Sequence, residues 1–264
     1  MSDAAPPRPA VLVTGGAKRL GAAIARAFGE AGWHVVIHYG SSRDEAEALA
    51  AALPSAETVR CDLADGDAAV AMVEALSACL PDWRVLANCA AIFDRDSVTE
   101  LDSATYLRAM QVNSATPARM AQAFLAHARA AGGRRVIQFT DQKLANPNPD
   151  FPSYTMSKHA VAAMVPMLAQ PLDEGGAAHP GDRVYALAPG AILPSHDQSE
   201  DEAEVSHRLN LLKRRTGAEE IAQACLWLAQ GWLASGETLF VDSGQHLLAQ
   251  PRDVIYLARE GVSV

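Results

Sequence analysis

The 264-residue chain is 49% hydrophobic and 20% charged, the balance of a soluble globular protein long enough for one full core and rather short for two. Its formal charge of −9 argues against nonspecific nucleic-acid binding, which needs a basic face to neutralise phosphates. No apolar run approaches the roughly 20 residues of a membrane span, so no membrane partner is expected.

Residues 1–9, M-S-D-A-A-P-P-R-P, have neither a basic start nor an apolar segment. They read as a short disordered lead rather than a signal peptide, and the expected compartment is the cytoplasm. One domain is expected over 10–264. Residues 10–14 form a short apolar run that stops at Gly15-Gly16, and a helical pattern follows over 20–31. The turn between them reads T-G-G-A-K-R-L-G. Glycine lets the backbone turn tightly and approach a phosphate, and the N–H groups at the next helix's start face the anion. Gly15, Lys18, Arg19, Leu20 and Gly21 are the candidate contacts. Residues 33–39 supply the second strand of a β-α-β unit. Where a carboxylate would bind the 2′-hydroxyl of NAD, the chain has His38, Tyr39, Ser41, Ser42 and Arg43, with no acid before Asp44. Hydroxyls and a guanidinium suit a 2′-phosphate, and Lys18 and Arg19 add positive charge, so NADPH is the expected cofactor.

Alternation continues with a helix at about 42–52, a strand at 58–61 followed by Asp62-Leu63, and a helix at about 67–80. A strand at 83–88 runs into N-C-A-A-I-F, which contains Asn88, Ala90 and Phe93. A long helical pattern spans about 102–131, interrupted near Asn113 and Pro117. A strand at 135–140 ends in Thr140 and carries Asp141 at its carboxyl edge. A helix at about 153–168, a strand at 183–188, a helix at about 217–230 and a strand at 238–241 complete the series. Such alternation implies an α/β fold: one Rossmann-type, doubly wound parallel sheet of about seven strands with helices on both faces. Ligands of such sheets bind beyond the strands' carboxyl ends. The glycine turn, residues 88–93, Asp141 and Pro189-Gly190 all follow strands and so converge there.

Tyr154 and Lys158 have the i,i+4 spacing that puts two side chains on one helix face. A lysine beside a phenol favours the phenolate and lowers its pKa, making Tyr154 a better proton donor. Cys61, Cys79, Cys89 and Cys225 stand without a C-x-x-C pair and read as buried reduced thiols. His196 and His207 have no partner at metal spacing and read as surface residues, so no metal is expected. Residues 192–211 carry an acidic run and read as a loop and helix over the substrate, within a segment at about 190–214. Pro166 and Pro171 should kink the 153–168 helix or end it early. The tail 250–259 is apolar enough to dock on a neighbouring subunit or on its own core.

These pieces resemble the short-chain dehydrogenase/reductases over nearly the whole chain. The resemblance rests on the 14–21 turn, Asp62, Asn88-Cys89-Ala90, Asn113, Tyr154-x-x-x-Lys158, Pro189-Gly190 and V-D-S-G at 241–244. It implies that Tyr154 donates a proton, and that Lys158 binds the nicotinamide ribose and lowers the tyrosine pKa. It further implies that Asn113 holds a relay water, that Asp62 and Leu63 contact adenine, and that the protein is a dimer or tetramer.

Two departures narrow the substrate. The usual middle glycine of the turn is Arg19, and the usual serine thirteen residues before the tyrosine is Asp141. Together with Phe93 this pattern is similar to pteridine and dihydromonapterin reductases. An ionised aspartate would repel a forming alkoxide, whereas a pterin imine needs a proton as hydride arrives, which a carboxylic acid or carboxylate-held water coupled to Tyr154 can supply. Phe93 either stacks on the flat pterin or packs in the core, and Arg19 either binds phosphate alone or bridges cofactor and substrate. The expected activity is NADPH-dependent reduction of a dihydropterin of the dihydromonapterin or dihydrobiopterin type, with some dihydrofolate reduction. A carbonyl or 3-oxoacyl reductase and a non-catalytic NADPH-binding sensor are the alternatives.

Overall fold

The computed structural model describes residues 7–170, 180–195 and 198–261. Strands β1 (Ala10–Val13), β2 (His34–Tyr39), β3 (Ala56–Arg60), β4 (Trp83–Asn88), β5 (Arg135–Phe139), β6 (Arg183–Pro189) and β7 (Thr238–Val241) form one parallel sheet in the order β3-β2-β1-β4-β5-β6-β7. The inner strands are apolar almost throughout, as strands covered on both faces must be. Their alternation divides the core in two. Val11, Val13, Val35, Ile37 and Val85 face one side, packed against Ile24 and Phe28 of α1 (Arg19–Glu30), Leu49 of α2 (Arg43–Ala52) and Ile221 and Cys225 of α8 (Ala218–Ala229). Leu12, Val36, Leu86 and Val136 face the other, against Met72 and Val73 of α3 (Gly66–Cys79), Met120 and Phe124 of α5 (Thr116–His127) and Val165 of α6 (Pro152–Ala169).

β1 lies between β2 and β4, so the chain winds one way through β3 and the other way from β4 onward. That reversal opens a crevice at the carboxyl ends of β1 and β4, the place where such sheets bind ligands. Gly15 and Ala90 face each other across it, close enough that a Cβ at Gly15 would lie 3.2 Å from that of Ala90.

Several expectations change. The 102–131 helical pattern is three pieces: α4 (Ser103–Met110), a π-helical turn over Gln111–Ala115 and α5, which stops at His127. Pro117 sits in the first turn of α5, where a missing N–H costs nothing. α6 runs past Pro166 to Ala169 instead of ending early. Pro166 is exposed and only three residues from the helix end, so water can satisfy the carbonyl it frees. Pro171 and His196 lie outside the described residues, as do residues 1–6 of the expected lead; Pro9 already pairs with the sheet, its carbonyl accepting from His34 N at 2.9 Å. All four cysteines are free, but only Cys61 and Cys225 are buried. Cys79 is on the outer face of α3 and Cys89 at a strand end, so apolar neighbours in sequence did not make them core residues. Among the described residues no helix is long and apolar enough to cross a membrane, and no group of three or more His, Cys, Asp or Glu side chains is placed to hold a metal ion.

Candidate active site

The glycine turn is held from behind. His38 is buried, and its Nδ1 accepts from Gly15 N at 3.1 Å while Nε2 lies 3.0 Å from Cys61 O. Burial pulls its pKa down to about 4, so the ring is neutral and has the tautomer that this pair of bonds requires. Thr14 Oγ1 accepts from Ala90 N at 3.0 Å, tying the turn to the end of β4. A Cβ at Gly21 would collide with Gly15 O, so only glycine lets α1 start this close to the turn. Lys18 precedes α1 without any side-chain cap, which leaves the first N–H groups open to an anion.

Beyond the turn, Gly40, Ser41, Arg60, Cys61 and Asp62 line a cavity of about 590 Å³. Of the residues expected here, Ser41 and Asp62 are on its wall. His38 and Tyr39 are buried behind the turn and act as its support. Ser42 precedes α2 and makes no capping bond, and Leu63 is buried, its carbonyl accepting from Thr116 Oγ1 at 2.9 Å. The cations read from the sequence are engaged at the surface, Lys18 with Glu45 at 2.6 Å and Arg43 with Glu47 at 3.7 Å. Arg60 was not among the expected residues. It pairs across the sheet with Tyr39, donates only to Gly40 O at 3.3 Å, and has no acidic partner among the described residues.

A second cleft, about 540 Å³, opens over the carboxyl ends of β4, β5 and β6. Arg19, Leu20, Phe93, Thr140, Asp141, Tyr154, Lys158, Pro189 and Gly190 all line it. Tyr154 OH donates to Asp141 Oδ2 at 3.0 Å, and Lys143 N donates to Asp141 Oδ1 at 2.8 Å. Lys158 Nζ donates to Phe139 O at 2.7 Å and lies 5.5 Å from the centre of the Tyr154 ring. An ammonium has three donors, so Lys158 retains capacity for a ribose diol. Burial raises the Asp141 pKa, with Lys143 opposing. It lowers that of Lys158 to about 8, with Asp141 opposing. Tyr154 is pushed well above the ordinary phenol, by burial and then by Asp141. The expected lowering by Lys158 is not what the structure gives: a neighbouring carboxylate and loss of water outweigh a distant ammonium.

Asn113 sits in the π turn. Its Nδ2 donates to Ile92 O at 2.9 Å and Ser157 Oγ at 3.1 Å, and its Oδ1 accepts from Ile92 N at 2.8 Å. The side chain is thus spent on fixing the segment that follows β4. Asn88 is buried, its Nδ2 held by Pro117 O and Gln138 Oε1 and its Oδ1 without a partner among the described residues. Thr140 Oγ1 is turned to Leu187 O at 3.2 Å. Phe93 stacks on Phe151 at 4.2 Å between centroids and meets Tyr154 edge-on at 4.7 Å. Arg19, in the left-handed region at φ 52, extends Nη2 to Pro194 O at 2.6 Å.

The remaining wall comes from further down the chain. Lys143 is buried with Asp253 at 2.6 Å, and Asp150 binds Arg252 at 2.8 Å and Asp253 N at 2.8 Å. Asp253 Oδ1 also caps α9 (Val254–Arg259), accepting from Ile255 N at 3.0 Å. The tail therefore docks on its own chain and puts Asp253, Val254 and Ile255 on the cleft. Ser206 and His207, at the end of α7 (Glu200–Ser206), also line it. The expectation of a surface His207 fails: the residue is 2% exposed.

A family model described as enoyl-(acyl carrier protein) reductase matches residues 15–246, and the chain belongs to the short-chain dehydrogenase/reductase family of oxidoreductases. Within it the chain is similar to a FolM alternative dihydrofolate reductase 1 from Brucella canis, complexed with NADP. That structure has a TM-score of 0.83 and 32% identity, covering 93% of this chain and 96% of that one. The chain is also 31% identical over 265 residues to 3beta-hydroxysteroid dehydrogenase 1 of Eggerthella lenta, covering 90% of this chain and 93% of the relative. To pteridine reductase 1 of Leishmania tarentolae it is 28% identical over 287 residues, covering 92% and 98%.

Proposed function

We propose that the chain is a cytoplasmic, NADPH-dependent reductase that takes a dihydropterin of the dihydromonapterin or dihydrobiopterin type to the tetrahydro form, with some activity on dihydrofolate. The observation that carries this reading is the Tyr154–Asp141 hydrogen bond at 3.0 Å inside the cleft. The site fits the cofactor through the tight glycine turn at Gly15, the open start of α1 and the spare donors of Lys158. Ser41 and Arg60 suit a 2′-phosphate, and the NADP complex of the similar FolM protein supports the same choice. When bound, the reduced nicotinamide supplies hydride to the carbon of the pterin C=N bond. The nitrogen then needs a proton. Asp141 and Tyr154 share a hydrogen bond in a site where burial raises both pKa values, so Asp141 gives up a proton less readily than a free carboxyl does. Phe93 offers an aromatic face to a flat heterocycle, Arg19 ties Pro194 to the glycine turn, and Asn113 fixes Ile92 beside the cleft. Exposed Val98, Leu101 and Leu107 support a homo-oligomer, dimer or tetramer; a monomer by light scattering would contradict that part.

Purified protein should oxidise NADPH with a dihydropterin, prefer it to NADH, and turn over simple ketones hardly at all. Asp141→Ala should lower kcat by about 100-fold or more, the scale of a lost acid, with NADPH affinity nearly intact. Loss of NADPH binding instead would mean Asp141 has another role. The similarity to a hydroxysteroid dehydrogenase favours a carbonyl reductase as the second reading, and ketone turnover with none of a dihydropterin would decide for it.

A further inference from the structure

His207 is the residue on the cleft wall that the mechanism leaves unused. Its backbone is pinned, with His207 N donating to Ala203 O at 2.9 Å and His207 O accepting from Asn210 Nδ2 at 2.7 Å. Its neighbours are satisfied: Ser206 Oγ donates to Ala203 O and accepts from Gln198 Nε2 at 3.1 Å, and Gln198 Oε1 accepts from Ser195 N at 3.1 Å. The ring is different. The residue lines the cleft and is 2% exposed, and its Nδ1 is buried with no hydrogen-bond partner among the described residues. A buried polar atom left this way is destabilising, and native structures keep few of them.

The ring is also neutral, since burial and then Arg215 pull its pKa down to about 4 against Glu204. A neutral imidazole offers one donor and one acceptor, and a half-turn about Cβ–Cγ carries either nitrogen to the other edge of the ring. The chemistry that answers it is a hydroxyl. A carboxylate would want a cation here, and Arg215 is already engaged with Glu204 at 3.5 Å and Glu200 at 3.9 Å. An apolar chain would leave the orphaned nitrogen buried at full cost. Ser206, Gln198 and Gln245, on the same wall, continue the hydroxyl and amide lining.

We infer that His207 is a specificity-determining residue that hydrogen-bonds the hydroxylated side chain of the substrate, so that the enzyme prefers polyol-bearing dihydropterins to dihydrofolate. This rests on the pterin reading above. The test compares kcat/KM for dihydromonapterin, for 6-methyl-dihydropterin, which lacks the hydroxyls, and for dihydrofolate, in the wild type, His207→Phe and His207→Gln. Loss of one neutral hydrogen bond predicts that His207→Phe loses about 10-fold on dihydromonapterin, chiefly in KM, and less than about 3-fold on the other two. Glutamine, which keeps a donor and an acceptor, should restore most of the loss, and the discrimination should not change between pH 6 and 8. Equal losses on all three substrates, or no rescue by glutamine in a variant that still binds NADPH, would overturn the inference while leaving pterin reduction standing. A wild-type protein that reduces neither pterin would overturn both.

Discussion

At the scale of single residues, the site divides into side chains whose spacing reveals them and side chains that only the fold brings together. Asp141, Tyr154 and Lys158 belong to the first group, because one strand end and one helix turn fix their geometry locally. Arg60 and His207 belong to the second. Arg60 reaches the cavity beyond the glycine turn only because β3 pairs in register with β2, opposing it to Tyr39. If it supplies the cation for a 2′-phosphate, Arg60→Ala should raise the KM for NADPH about 10-fold, the worth of one charge-assisted bond, and leave that for NADH nearly unchanged. An equal rise for both nucleotides, measured by initial rates, would assign Arg60 to general binding. Lys18 and Arg43 were legible as positive charge but not as ion-paired, since Glu45 and Glu47 look in sequence like any acidic helix face. Exposed pairs of that kind contribute little to stability, so they exchange partners readily.

At the scale of elements, the alternation of strands and helices was legible because apolar runs and helical periodicity are local signals. What was not legible is how helices break and continue. The π turn at Gln111–Ala115 depends on the Asn113 side chain bonding Ile92, a partner 21 residues away. The survival of α6 beyond Pro166 depends on which face is wet. The junction of β1 with α1 is set by sterics instead. A methyl group at Gly21 has nowhere to go, because Gly15 O is backbone. Gly21→Ala should therefore destabilise the protein by about 1–3 kcal/mol and weaken cofactor binding. Gly132→Ala, where the nearest atom is the Arg84 guanidinium at 3.6 Å, should stay within about 0.5 kcal/mol. Urea unfolding of the two variants checks the contrast, and equal costs would remove the steric argument.

At the scale of the whole molecule, the tail closes the site over a separation of more than one hundred residues. Its apolar character was legible, but its docking place was not: Lys143, Asp150, Arg252 and Asp253 meet only in three dimensions. Lys143 and Asp253 are both buried, so removing one partner strips the other of its direct counterion away from water. Asp253→Ala should cost about 3–5 kcal/mol, while the Lys143→Met, Asp253→Leu pair should cost much less. A double variant as unstable as the sum of its singles, by chemical denaturation, would show that the two side chains are not coupled. The same carboxylate holds Lys143, just after β5, through Oδ2 and the first turn of α9 through Oδ1. Opening the cleft wall and fraying that helix are therefore one event rather than two. The amide protons of Ile255, Tyr256 and Leu257, all of which end on Asp253, exchange with solvent through that event, so their exchange rates read the wall's opening equilibrium from outside the pocket.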